Sequence, residues 1–75
     1  MNAMGARLRA ARQRKAWALE DLAQASGVMV ATLSRLENDK QEPRPSTIRK
    51  LAAALDVEPG WLLLGEDDQA EKWAA

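Results

Sequence analysis

Residues 19–26 and 30–38 each place apolar side chains at helical spacing, and only Gly27, Val28 and Met29 stand between them. Leu19, Leu22 and Ala23 form the stripe of the first segment, with Glu20 and Asp21 at the end where a helix is positive. Leu33 and Leu36 form the stripe of the second, which runs Val30 to Asn38. A glycine just past the last periodic residue is the expected left-handed terminator. Two helices joined by so short a turn must cross steeply, which narrows the fold to a helical one before anything else is considered.

The flanking segments carry the same period. Met4, Leu8 and Ala11 predict a basic amphipathic helix from about Ala3 to Lys15, followed by a short link through Trp17. Past the central pair, Asn38 and Asp39 tolerate left-handed backbone and open a polar loop from Lys40 to Arg44. Pro45 and Pro59 suit first helical positions, where a missing N–H costs nothing. They predict helices over Pro45–Leu55, with Ile48, Leu51, Ala52 and Leu55 inward, and over Pro59–Leu64, docking Trp61, Leu62 and Leu63. The expectation is an all-α, five-helix domain over residues 1–65, with an acidic tail over 66–75 that contains Trp73.

A chain of 75 residues supports one domain and one core. It has no Cys and no His, so disulfides, thiolate or imidazole metal sites and the common catalytic dyads cannot be assembled. An enzyme is not expected, nor is a cofactor. No window reaches the roughly 20 apolar residues of a membrane helix, and no signal-like apolar run opens the chain, so a cytoplasmic protein with no membrane partner is expected. The net charge is zero, but its distribution is uneven: residues 1–18 carry five bases and no acid, and residues 19–75 carry six bases against eleven acids. A basic face can therefore coexist with an acidic far side.

The ordered set Leu22-Ala23, Gly27-Val28, Leu33, Ser34-Arg35-Leu36-Glu37 and Pro43 resembles the helix-turn-helix of phage-repressor-like regulators, the lambda and 434 repressor type also called XRE-type. The likeness continues without a gap upstream through Met4-Gly5, Arg7-Leu8-Arg9 and Arg12, and downstream through Ile48, Leu51-Ala52, Ala54-Leu55, Val57 and Trp61-Leu62. It implies a sequence-specific regulator of transcription that binds double-stranded DNA, a dimeric repressor, with the segment from Val30 in the major groove.

Carried over residue by residue, the base readers are Val30, Ala31 and Arg35. Arg35 has the side chain suited to guanine O6 and N7, and the two apolar residues suit thymine methyl groups. Leu19, Thr32, Asn38, Lys40 and Arg44 fall where the family contacts backbone or groove, and Arg12 and Glu37 match a structural ion pair. The chain departs from the pattern at Ala18-Leu19, where the family favours Ser or Thr followed by Gln and a capped helix start. One unit spans only a few base pairs, so a homodimer is expected, with Trp61, Leu64 and Trp73 as apolar area for its contact. A second reading remains beside this one: a module of the same fold, antitoxin-like or an adaptor, that binds a protein partner through Leu19, Met29, Val30 and Ala31.

Overall fold

In the computed structural model, which describes residues 4–65, the elements are α1 (Met4–Arg14), α2 (Leu19–Ser26), α3 (Val30–Glu37), α4 (Pro45–Leu55) and α5 (Pro59–Leu64). Their principal contacts run α1 on α3, α3 on α2, α2 on α4, α4 on α5, and α5 back on α1. This closed ring of short helices surrounds one core. Each helix sends one leucine to its centre, and Leu8, Leu22, Leu33, Leu51 and Leu62 have no solvent exposure. Met4, Ala11, Leu36, Ile48, Ala52 and Leu55 complete the core. These inward residues are those the 3.6-residue period selects, but Leu63, expected to dock beside Leu62, is exposed, because the six-residue α5 turns only one narrow face to the core.

Two helix ends fall short of the expected limits, and both for a backbone reason. α1 stops at Arg14 and α3 at Glu37, because Ala16 (φ 57°) and Asp39 (φ 55°) turn into left-handed backbone just beyond. Each is the left-handed residue of a six-residue terminating motif. Trp17 N–H reaches the Arg12 carbonyl at 3.3 Å and Ala16 N–H that of Gln13 at 2.9 Å. Lys40 N–H reaches the Arg35 carbonyl at 2.8 Å and Asp39 N–H that of Leu36 at 3.2 Å. α4 ends the same way on Asp56, with φ 60°, whereas α2 and α5 end on Gly27 and Gly65.

A side chain with a Cβ makes left-handed backbone unfavourable by about 1–2 kcal/mol, and Ala16 has no polar group with which to offset it. Ala16→Gly is expected to raise the unfolding free energy by about 0.5–1 kcal/mol, the gain being trimmed by the greater freedom of glycine in the unfolded chain. Gly27→Ala makes the opposite test. Nothing stands within 4 Å of a Cβ built there, so the loss expected in thermal unfolding, about 1 kcal/mol, would come from φ alone.

Long side chains tie the ring together. Arg7 of α1 donates from Nε to the Leu62 carbonyl at 3.0 Å and from Nη2 to the Leu63 carbonyl at 2.8 Å, satisfying carbonyls at the end of α5 that lack a partner within the helix. Gly5 lies where α1 meets the end of α3. A Cβ on it would stand 2.6 Å from the Glu37 carbonyl oxygen and 2.7 Å from that of Leu36. Its own N–H donates to Asp39 Oδ1 at 3.2 Å, so the carboxylate that follows α3 serves the positive end of α1.

Candidate nucleic-acid interface

α3 owes its orientation first to the turn before it. Ser26 Oγ donates to the Leu22 carbonyl at 2.7 Å and accepts the Val28 N–H at 3.1 Å, and Gly27 takes the left-handed conformation with φ 79°. Leu33 and Leu36 then bury the inner stripe of α3. The outer face presents Val30, Ala31 and Arg35, all exposed, with Thr32 and Ser34 half-buried beside them. Met29, at the helix start, is 72% exposed and uses backbone alone for the first turn.

At the start of α2, Ala18 offers no capping oxygen, yet Asp21 Oδ2 reaches back to accept the Ala18 N–H at 2.8 Å. Half of a reciprocal capping box is thus present. Glu20 and Asp21 already set two carboxylates at the positive end of α2, which suits the helix dipole and weakens that end as a phosphate seat. Leu19 is half-buried and packs on the core, so the apolar surface around α3 is carried by Met29, Val30 and Ala31.

Behind the outer face stands a charged clamp. Glu37 is the one charged residue buried among the described residues, with a side chain 3% exposed. Its Oε2 accepts from Arg12 Nε at 2.6 Å, and its Oε1 accepts from Arg12 Nη2 at 3.0 Å and from Arg9 Nε at 3.3 Å. Arg12 Nη1 continues to the Trp17 carbonyl at 2.7 Å, and Arg9 Nη2 to Asn38 Oδ1 at 3.3 Å. One carboxylate therefore locks α1 to the C-terminal end of α3, and Arg12 adds the α1–α2 link. Hydrogen bonding to Glu37 holds the Arg12 proton more firmly than usual, against the opposing effect of burial.

The helix-turn-helix family model matches residues 8–62, most of the chain and all of the clamp, turn and outer face. The chain belongs to this family. It is the phage-repressor-like, XRE-type branch that the sequence resembles. An uncharacterised HTH-type transcriptional regulator of Mycobacterium tuberculosis is 41% identical over 70 residues, covering 89% of this chain and 27% of that protein. The HTH-type transcriptional repressor RghR of Bacillus subtilis is 45% identical over 58 residues, covering 76% of this chain and 43% of that protein. This chain thus spans about a quarter of the mycobacterial relative and under half of the Bacillus one. Among solved structures, the P22 c2 repressor in complex with a synthetic operator superposes with a TM-score of 0.82 at 30% identity, over 88% of this chain and all of that one.

Within this helix-turn-helix the remaining residues expected at a nucleic-acid face fall into two groups. Lys40 and Arg44 are exposed in the loop after α3, and Arg44 is also the backbone cap of α4. Asn38 is exposed but engaged, donating from Nδ2 to the Ser34 carbonyl at 2.8 Å and accepting from Arg9. Arg35 is exposed with its Nε donating to Gln41 Oε1 at 2.8 Å. Sequence reasoning does not single out Gln41 or Ser26, and it reads Arg9 as a solvated cation of the first helix, whereas Arg9 joins the clamp on Glu37. Only Ser26, beside a glycine terminator, carries a local signal that could have flagged it.

On α5, Leu64 is 61% exposed and Trp61 is partly buried on the core, while Trp73 lies outside the described residues. Leu63 borders a cleft of about 240 Å³ lined by Pro43, Pro45, Ile48, Pro59 and their neighbours. Among the described residues no helix is long and apolar enough to cross a membrane, and no group of three or more acidic side chains is placed to hold a metal.

Proposed function

We propose that this chain binds double-stranded DNA sequence-specifically, as a cytoplasmic transcriptional regulator of the repressor kind, by laying α3 in the major groove. The observation that carries the reading is the outer face of α3. It exposes Val30, Ala31 and Arg35 in the setting that an operator-bound repressor shares over this whole fold. Arg35 reads guanine through O6 and N7, Val30 and Ala31 contact thymine methyl groups, and Thr32, Asn38, Lys40 and Arg44 hold phosphates around the groove. The regulator acts as a homodimer on half-sites about one helical turn apart, and exposed Leu64 with the rim of Trp61 and Leu63 supplies its contact.

Selection from random duplexes, followed by anisotropy titration, tests this. The expected result is a two-fold-related consensus with salt-sensitive affinity, and an Arg35→Ala protein that folds normally but loses about 1–3 kcal/mol of discrimination at one guanine per half-site. A selection that enriches nothing over random duplex at low salt overturns the reading. A protein-binding role through Met29, Val30 and Ala31 is favoured by one specific observation, the 72% exposure of Met29. Capture of a partner that withstands nuclease and is lost in Val30→Gln would support that role instead.

A further inference from the structure

Three arginines surround the C-terminal half of α3, and they are not held alike. Among the described residues, the ion pairs join Arg9 and Arg12 to Glu37, so those two guanidiniums share one counter-charge. Arg35 is in neither pair. Its Nε instead donates to a neutral acceptor, Gln41 Oε1, at 2.8 Å. An amide oxygen fixes the guanidinium without cancelling its charge, whereas a carboxylate in the same place would do both. The neighbour of Gln41 on the far side is Glu42, so a shift of one residue would have put an acid at this point.

The contact is also imposed by backbone. Gln41 follows Lys40, whose N–H closes the six-residue motif on the carbonyl of Arg35 itself at 2.8 Å. That motif turns through Asp39, whose carboxylate is tied to Gly5 of α1 at 3.2 Å. The chain bearing Gln41 is thereby brought back against the turn of α3 that bears Arg35, and anchored at both ends of the reversal. With Nε engaged, the terminal N–H groups of Arg35 remain available for the paired acceptors of guanine.

We propose that Gln41 is a positioning residue for base readout, holding the Arg35 guanidinium in a reading orientation before DNA arrives while leaving its charge uncompensated. This rests on the DNA-binding reading of α3. Arginine carries much rotamer freedom, and ordering it in advance removes part of the cost of binding.

The test compares wild type, Gln41→Met, Gln41→Glu, Arg35→Ala and the Arg35→Ala/Gln41→Met double variant on the selected duplex and on one with the Arg35-dependent guanine replaced. Both positions are exposed, so all variants should fold. Gln41→Met is expected to reduce discrimination at that guanine roughly two- to tenfold, the range expected for ordering one long side chain, and to add nothing once Arg35 is alanine. Gln41→Glu, which keeps the acceptor, should retain the discrimination while lowering affinity for both duplexes. In the protein without DNA, ¹⁵N relaxation at Arg35 Nε should show greater mobility in Gln41→Met. Arg35-dependent discrimination that survives Gln41→Met with unchanged Nε relaxation overturns the positioning role and leaves DNA recognition standing. An equal loss in the Arg35→Ala background overturns it too, since Gln41 would then touch DNA itself. A wild-type protein with no Arg35-dependent guanine preference overturns the readout by Arg35 as well.

Discussion

Glu37→Ala is expected to lower the unfolding free energy by about 3–5 kcal/mol, enough to leave a domain of this size largely unfolded near body temperature. The carboxylate is 3% exposed and accepts three hydrogen bonds, two from Arg12 and one from Arg9. Without it, the Arg12 guanidinium, at 13% exposure, keeps only the Trp17 carbonyl and becomes a nearly buried charge with no counter-charge. Urea unfolding of the two proteins gives the difference directly. A loss below about 1 kcal/mol would mean that the pair behaves like a surface ion pair.

The double variant Arg12→Met/Glu37→Leu separates stability from orientation. Replacing both charges with apolar volume removes the stranded group, and most of the lost stability is expected to return. Base discrimination is expected to stay low in that variant, because the clamp no longer fixes the angle at which α1 holds the end of α3 and only the Asp39–Gly5 bond and apolar packing remain there. The arginine side of the clamp is insensitive to ordinary pH. Its affinity for the proton is raised in the fold, chiefly by the hydrogen bonds to Glu37, so the stability it contributes is complete below the usual arginine range and lost only in stronger alkali.

Gly5→Ala is expected to cost about 3 kcal/mol, although alanine is the better helix former and the residue lies within α1. The added methyl would press on two backbone carbonyl oxygens, at 2.6 and 2.7 Å, and these cannot swing away as a side chain can. The helices must separate, and separation stretches the Asp39–Gly5 bond and the Glu37 clamp together. Thermal unfolding should show the loss. DNA affinity should fall by more than the unfolded fraction explains, because α3 is displaced in the molecules that remain folded. A protein of unchanged stability would show that the α1–α3 seam yields easily, against the close approach seen here.

The helices themselves are written in the local pattern. Period, proline at first helical positions and the terminator Gly27 are enough to place five helices and their inward residues other than Leu63, because each depends on neighbours within one or two turns. The end of α1 is set by Ala16, whose left-handed backbone its residue type does not advertise, and α3 closes one residue before Asn38 with the left-handed turn at Asp39 that its residue type allows. Likewise the outer face of α3 follows from period alone, since what is not inward on an eight-residue helix must be outward.

Local pattern suffices for the helical architecture, for the lack of Cys and His chemistry, and for the exposure of Val30, Ala31 and Arg35. What holds those residues still is settled by packing between elements. That Arg9 joins Arg12 on one buried carboxylate, that Asp39 serves a helix 34 residues away and that Gln41 grips Arg35 all depend on how separate helices and loops meet. Period reports which side of a helix is apolar, but polar contacts between elements carry no period. They are settled only when packing brings a donor within about 3 Å of its acceptor.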